Sequence, residues 1–334
     1  MNYSVAIIGA RGAVGRELLS LLEKKNFPLS GLCLFGSNQD SMPFQDLDLP
    51  VHPLKDAEIP ACDIAFFCAT SEISKKYIPL FLEKGSLNID LSSAFRGDPN
   101  VPLVIPEINA KEIAGHKGII ASPNCIVALL ALVLSPLMSV FSIQKVIVTT
   151  YQAASGAGEA AMNSLIAETK EFLETGCLQS DYFPVPYAFN LFLHDSPQDT
   201  AGYTEEENKI IYEAKKILSA PNLSISPTCV RVPVLRAHSM SVHIQCRNPV
   251  DIKKVRRILT QTQGVCFTSD RFLSPQQAAG KEEILCGRAR LDHFDPRCFE
   301  LWIVGDQLLK GAALNAFQIA EHSVGLYQDS LLST

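Results

Sequence analysis

A cysteine at the head of an apolar run is the residue of this chain best placed for covalent chemistry. Ser122-Pro-Asn-Cys125 leads straight into the apolar residues 126–134, with Ser135-Pro136 after them. The pattern predicts a helix that begins at or just after Cys125 and is closed by Ser135-Pro136, with Asn124 or Ser122 near its N-cap. The first-turn amides and the positive end of the helix dipole favour an anion there, so a thiol in that turn can act as a nucleophile. A free thiol with pKa near about 8.5 is only roughly a few per cent thiolate at pH 7. The helix end supplies at most about 2 kcal/mol, or roughly 1.5 pKa units, so a neighbouring base is also required. Arg231 and His238, which flank Val-Pro-Val-Leu-Arg-Ala, are the strongest further candidates. Arg231 offers a planar fork for a carboxylate, and Gln152 precedes the small residues Ala-Ala-Ser155-Gly156. Taken singly, each has a plainer role. A cysteine packs in a core, a histidine among strands is structural, and a glutamine beside glycine is a turn residue. Glu206 and Lys209, three apart on a helix, read as a solvated pair worth a few tenths of a kcal/mol.

The elements that must carry these residues follow from periodicity and punctuation. Residues 3–8 read as a buried strand, followed by Gly9-Ala-Arg11-Gly12-Ala13-Val14-Gly15 and a helix over 16–25. Strand, glycine turn and helix open a dinucleotide-binding βαβ unit, in which glycines let backbone amides close on a pyrophosphate. The second strand, 31–35, ends in Gly36-Ser37, which leaves room for a 2′-phosphate, whereas Asp40 and the lack of a nearby Arg or Lys favour a 2′-hydroxyl. The residues alone leave NAD and NADP open. Strands at 63–68 and 87–91 flank a helix over 71–83, and Arg96 falls past the last strand, where open α/β sheets bind ligands. After residue 142 the texture changes to a strand at 143–151, a helix over 159–174 stopped by Gly176, and a loop-rich 177–198 read as surface or interface. Thr204 with Glu207 forms a capping box for the next helix. Strands at 226–234, 238–245, 266–268, 288–293 and 299–305, interrupted by a helix over 251–261, predict an α+β second domain with an antiparallel sheet. A long amphipathic helix over 309–327 follows. The fold class is α/β, with an N-terminal Rossmann-type dinucleotide-binding domain of residues 1–125 plus 306–334. Residues 126–305 form the α+β catalytic and dimerisation domain.

Composition removes other classes. A net charge of −6 over 334 residues, with no basic run, argues against a nucleic-acid partner. Ten cysteines without a C-x-x-C pair or zinc-finger spacing point to reduced thiols in the cytoplasm and to no metal site. The N-terminus lacks a basic region ahead of its short apolar stretch, and the longest apolar run is far below the roughly 20 residues that span a bilayer, so no membrane role is expected.

Together these residues resemble the aspartate-semialdehyde dehydrogenase family. The likeness runs almost end to end, through Gly9 to Gly15, Ser92-Ser-Ala-Phe-Arg96, Ser-Pro-Asn-Cys125 and Tyr-Gln152-Ala-Ala-Ser-Gly156. It continues through Tyr-Thr-Glu-Glu206-Glu-Asn-Lys209, the Arg231-to-His238 motif and Gly-Asp-Gln307-Leu-Leu-Lys-Gly-Ala-Ala. The resemblance implies a catalytic domain of the glyceraldehyde-3-phosphate-dehydrogenase-like type and a homodimer whose second-domain sheets meet. It implies NADPH-dependent reduction of L-4-aspartyl phosphate to L-aspartate 4-semialdehyde with release of phosphate, in lysine/diaminopimelate, threonine and methionine biosynthesis. By the same match Cys125 is the thioester nucleophile, His238 the general acid–base and Gln152 a substrate-orienting residue. Arg231 would bind the substrate carboxylate and Glu206 its amino group, with Asn124 beside them, and Arg96 and Lys209 would bind phosphate. Gly9, Arg11, Gly12, Ala13, Val14, Ser37, Ser155, Gly156 and Gln307 would contact the dinucleotide. The chain departs from the family at Arg11, where Thr is common, and at Ser37-Asn38-Gln39-Asp40, where Ser-x-Arg-Ser is usual. NADP is the expected cofactor, with Arg11 supplying the lost charge. The nearest alternative, an N-acetyl-gamma-glutamyl-phosphate reductase, has glycine at the position of Asn124 and an acylated substrate amine with no use for Glu206. A glyceraldehyde-3-phosphate dehydrogenase would carry Ser-Cys-Thr-Thr-Asn, which is absent. A non-catalytic dinucleotide-binding module would have lost one of Cys125, Gln152, Arg231 or His238, and all four are present.

Overall fold

Residues 1–37, 40–270 and 272–325 are described by a computed structural model, in which the chain divides into two units. One comprises Met1–Pro123 with the chain from Ala312 onward, the other Asn124–Gly311.

The first unit is built on a six-stranded parallel sheet. Its strands run in the order Val51–His52, Leu29–Phe35, Tyr3–Ile8, Ile64–Phe67, Leu87–Asp90, Ile119–Ala121. Ile64–Phe67 is buried at every position, the continuous apolar run that a central parallel strand requires. Tyr3–Ile8 passes through the glycine turn into a helix, Ala13–Lys24, which begins three residues earlier than the pattern suggested and buries Leu18, Leu19, Leu21 and Leu22. Gly9 has φ +84°, and a Cβ there would fall 2.4 Å from the Cys68 carbonyl oxygen, so no other residue fits the turn. Asn38 and Gln39, in the stretch that bears on cofactor choice, lie outside the described residues.

The second unit carries a seven-stranded sheet in the order Phe192–Leu193, Ser224–Arg231, Ile143–Gln152, His238–Cys246, Cys298–Gly305, Ile284–Leu291, Val265–Thr268. It is mixed, not antiparallel as expected. Ser224–Arg231 pairs parallel with Ile143–Gln152, and Val265–Thr268 pairs parallel with Ile284–Leu291. The helices Glu159–Thr175 and Glu205–Ile217 lie between Gln152 and Ser224 and supply the crossover that parallel pairing demands. Gly176, at φ +75°, ends the first of these, and the Thr204–Glu207 capping box starts the second.

Two further expectations give way here. The cysteine helix runs Cys125–Met138, through Pro136; residues 126–134 are all buried and Leu137 keeps the last turn in the core even without the proline's amide. The long helix over 309–327 is instead a π-helical turn, Leu309–Ala313, followed by an α-helix, Leu314–Ser323, with residues beyond 325 outside the described part. The loop-rich 177–198 is also more than surface. Tyr187 is fully buried and packs with Phe183, Ala188, Ala154, Ala161 and Leu165. The Glu168 carboxylate anchors the loop by accepting the amides of Tyr187 at 2.6 Å and Ala188 at 3.0 Å.

Candidate active site

Strand register brings three of the candidate side chains to one end of the second sheet. Arg231 is the register partner of Gln152 at the ends of parallel neighbours, and Ser239 pairs with Tyr151 across the antiparallel neighbour, so His238 starts its strand beside Gln152. Gln152 thus shares one sheet end with two residues far from it in sequence, where hydrogen bonding has fixed the backbone that holds them.

The cysteine helix is fixed at its N-terminus by the same group of residues. Asn124 is the N-cap, its Oδ1 accepting the Ile126 amide at 2.9 Å, which leaves Cys125 as the first helical residue. The Asn124 side-chain amide donates to Glu206 Oε1 at 2.9 Å, and its backbone amide donates to Glu213 Oε2 at 2.6 Å. Glu206 and Glu213 are seven apart on Glu205–Ile217, which puts both carboxylates on one face of that helix. Gln152 Nε2 donates to the same Glu206 oxygen at 3.1 Å. Lys209 pairs with Glu205 at 2.6 Å and not with Glu206, so the solvated Glu206–Lys209 pair of the plain reading is not formed. Burial works to raise the Glu206 pKa, but His194, the hydrogen bonds from Asn124 and Gln152, and Lys209 outweigh it and hold the carboxyl below its ordinary range.

His238 is completely buried, and burial, reinforced by Arg231, depresses its pKa to about 3. Its Nδ1 accepts the Ala153 amide at 2.9 Å, which assigns the proton of the neutral ring to Nε2. A Cβ on Gly156 would stand 2.9 Å from both Cε1 and Nε2 of that imidazole, so glycine at 156 is what gives the ring its place. His238 Nε2 and Gln152 Oε1 are buried and have no hydrogen-bond partner among the described residues. Two unsatisfied buried polar atoms at one sheet end are costly unless a ligand pairs with them.

Arg231 is 5% exposed, with its guanidinium over the Phe183 ring at 5.6 Å. Its Nε donates to Asp195 Oδ1 at 2.9 Å, and Nη2 lies 3.0 Å from His194 Nε2. Sequence reasoning missed His194, Asp195 and Glu213. A His-Asp pair in a proline-bearing loop carries no periodic signal, whereas the seven-residue spacing of Glu206 and Glu213 was there to be read. Gln307, implied as a cofactor contact, spends both ends of its side chain within the unit: Oε1 accepts the Ala237 amide at 2.9 Å and Nε2 donates to Ser155 Oγ.

The remaining candidates belong to the first unit. Gly12 is the N-cap of Ala13–Lys24 and offers no side-chain cap, so the first-turn amides beside Ala13 and Val14 are left for another acceptor. Arg11 donates to the Asp40 carbonyl at 3.0 Å and lies 3.5 Å from its carboxylate, while Ser37 is exposed after its strand. Arg96 is buried, with Nε donating to the Ser122 carbonyl at 2.9 Å and Nη2 to the Leu91 carbonyl at 2.7 Å.

Chemical reactivity sorts the cysteines. Burial pushes Cys68 and Cys286 up to about 12 and keeps them protonated, and none of the ten forms a disulfide. Cys125 is half-buried, at a helix N-terminus. His243, Asp292 and Glu300 stand close enough to share a cation, but Arg290 already pairs with Glu300. Among the described residues no helix is long and apolar enough to cross a membrane.

Comparison with known proteins agrees with this division of the chain. Residues 4–116 match the family described as "Semialdehyde dehydrogenase, NAD binding domain", and residues 134–310 match "Semialdehyde dehydrogenase, dimerisation domain". The aspartate-semialdehyde dehydrogenase of Prochlorococcus marinus is 43% identical over 325 residues, covering 95% of each chain. That of a Synechocystis species is 42% identical, covering 95% of this chain and 96% of its own. The crystal structure of aspartate semialdehyde dehydrogenase II from Vibrio cholerae complexed with ASA superposes with a TM-score of 0.94 at 36% identity, covering 98% of this chain and all of that one.

Proposed function

Because the chain belongs to the aspartate-semialdehyde dehydrogenase family, we propose that it reduces L-4-aspartyl phosphate to L-aspartate 4-semialdehyde with NADPH, through an acyl thioester on Cys125. The observation that carries this reading is the Asn124–Glu206–Gln152 junction, which ties the first turn of the cysteine helix to the sheet end holding Arg231 and His238.

Cys125 Sγ attacks the acyl carbon, forming the C–S bond as the C–O bond to phosphate breaks. Gln152 Oε1 and His238 Nε2 supply the acceptor and donor that the protein leaves unpaired. With Nδ1 occupied by the Ala153 amide, His238 keeps its proton at Nε2 and hydrogen-bonds it to the oxyanion at the carbonyl carbon, so the ring is a donor from the start, and the proton of the Cys125 thiol leaves with the phosphate. NADPH, when bound, supplies the hydride that takes the thioester to the aldehyde level. Arg231 binds the substrate carboxylate, and the ionised Glu206 binds the ammonium. A buried, ionised glutamate suits a free amine and disfavours an N-acylated glutamyl substrate. Arg96 and Lys209 take the phosphate.

The first unit fits a dinucleotide: the Gly9 turn has no room for a Cβ and the helix start at Ala13 has no side-chain cap. Gly9, Gly12, Ala13 and Val14 would hold the pyrophosphate, and Ser37 and Arg11 the 2′-phosphate, with Ser155, Gly156 and Gln307 toward the nicotinamide. The second unit forms a homodimer, a reading supported by its match to a dimerisation domain and by the exposed Ile147, Leu235 and Leu291. Ten thiols without a disulfide suit the cytoplasm, and the product would feed lysine/diaminopimelate, threonine and methionine synthesis.

The test is phosphate-dependent oxidation of aspartate semialdehyde with NADP, with Cys125→Ala as the control. Wild-type turnover and an inactive variant are expected. Activity surviving in Cys125→Ala would overturn the thioester route, and preference for an N-acetylglutamyl substrate would overturn the substrate assignment.

A further inference from the structure

The loop residues His194, Asp195 and Ser196 touch the Arg231 side chain and the backbone amide of Glu206, the two residues that the proposed reading gives to the substrate. His194 is nearly buried, with its side chain 11% exposed. Its Nε2 stands 3.0 Å from Arg231 Nη2. A guanidinium has donors only, so Nε2 accepts and the ring proton sits on Nδ1. Nδ1 lies 3.0 Å from Ser196 Oγ, which accepts the Glu206 amide at 3.2 Å. The Ser196 amide also points at Nδ1 from 3.2 Å, but the neutral ring has a single acceptor, and the closer, permanently charged Arg231 takes it. A continuous chain of bonds therefore runs from Arg231 through His194 and Ser196 to the first turn of the helix bearing Glu206. Asp195 holds the guanidinium from its Nε edge.

We propose that His194 is a positioning residue that fixes the Arg231 fork and the Glu206 carboxylate at a set separation, so that the site selects substrates bearing a carboxylate and an ammonium on one carbon. The proposal rests on the assignment of Arg231 and Glu206 to those two groups. Protonation would remove the acceptor and set a like charge against Arg231. Burial comes first among the effects that hold the His194 pKa below its ordinary value, with Arg231 and Lys209 acting the same way and Glu206 and Asp195 opposing them.

The test uses the full-length enzyme in the phosphorylating oxidation of aspartate semialdehyde, with kcat and KM measured for wild type, His194→Ala, His194→Gln and Arg231→Lys. His194→Ala is expected to raise KM for aspartate semialdehyde about tenfold or more, the scale of a hydrogen bond to a charged group, while kcat changes less than about threefold. His194→Gln, whose Oε1 is an acceptor that cannot be protonated, is expected to restore KM to within about threefold of wild type. It should also abolish the rise in KM on acidification below the ordinary histidine range. An unchanged KM in His194→Ala, a loss confined to kcat, or a His194→Gln enzyme as impaired as His194→Ala would overturn the proposal. Arg231→Lys separates the two levels. If it leaves KM unchanged, the assignment of Arg231 is wrong, and if it raises KM while His194→Ala is silent, only the role of His194 is wrong.

Discussion

The glycine turn of the first unit and the strand-end cluster of the second are both assigned to charged ligands, yet they are made from opposite materials. The turn is seven consecutive residues that act through backbone amides, and its charged member, Arg11, shares an ion pair with an Asp40 side chain that is 78% exposed. The cluster takes Asn124, Gln152, Glu206, Arg231 and His238 from five separate elements and buries all of them. An exposed pair is worth about 0–1 kcal/mol, whereas stranding one partner of a buried pair costs about 3–5 kcal/mol. Charge in the turn is therefore adjustable, and charge in the cluster is committed to one arrangement.

Mutation should separate the two regions by magnitude. At the top, Cys125→Ser is expected to lower kcat by on the order of 10⁴-fold or more, as loss of a nucleophile does, with circular dichroism unchanged; a modest loss would remove Cys125 from the covalent step. Next, His238→Asn keeps an acceptor for the Ala153 amide but is too short to place a donor where Nε2–H stands, so kcat should fall about 10²–10⁴-fold in steady-state assays. The same variant reports on stability. The folded pKa of about 3 lies below the ordinary 6.5, so the neutral buried ring contributes fully above 6.5 and progressively less as pH falls toward 3. Urea unfolding over that window should show wild type losing stability more steeply than His238→Asn, and parallel curves would contradict a buried neutral ring.

Glu206→Gln preserves hydrogen bonding to Asn124 and Gln152 only in part and removes the charge. KM for aspartate semialdehyde should rise about tenfold to a hundredfold. Because the Glu206 pKa is held down, its contribution to stability is present above the ordinary carboxylate range and is lost as pH falls through the folded value. The smallest effects belong to the turn. Arg11→Ala should weaken NADP binding about tenfold, read by fluorescence titration, with NAD binding unchanged. Asp40→Ala should strengthen NADP binding a few-fold by releasing Arg11, with a stability change below about 0.5 kcal/mol. A tighter grip on NAD in either variant would reverse the cofactor assignment.

Parts of this molecule were written locally enough to be read from the chain. The strand, glycine turn and helix at the N-terminus are one continuous motif whose sterics admit only glycine at position 9. The start of the cysteine helix follows from Asn124 before an apolar run, and the Thr204–Glu207 box from two side chains three residues apart. Each depends on neighbours within a turn or two, so composition and spacing suffice.

The mixed sheet and the anchored 177–198 loop depended on partners outside their own segments. Parallel pairing of Ile143–Gln152 with Ser224–Arg231 follows from a crossover of two helices, and the loop is held by Glu168 reaching back to Tyr187. Taken singly, Cys125, Gln152, Arg231 and His238 each read more readily as structural residues, and it was the family resemblance of the motifs around them that gave them their roles. That Glu206 faces Asn124 and Gln152 while Lys209 turns to Glu205, and that His194 stands between Arg231 and Glu206, emerged only on folding. A side chain's identity is carried by the chain, but its partners and its charge state depend on which distant groups are buried beside it.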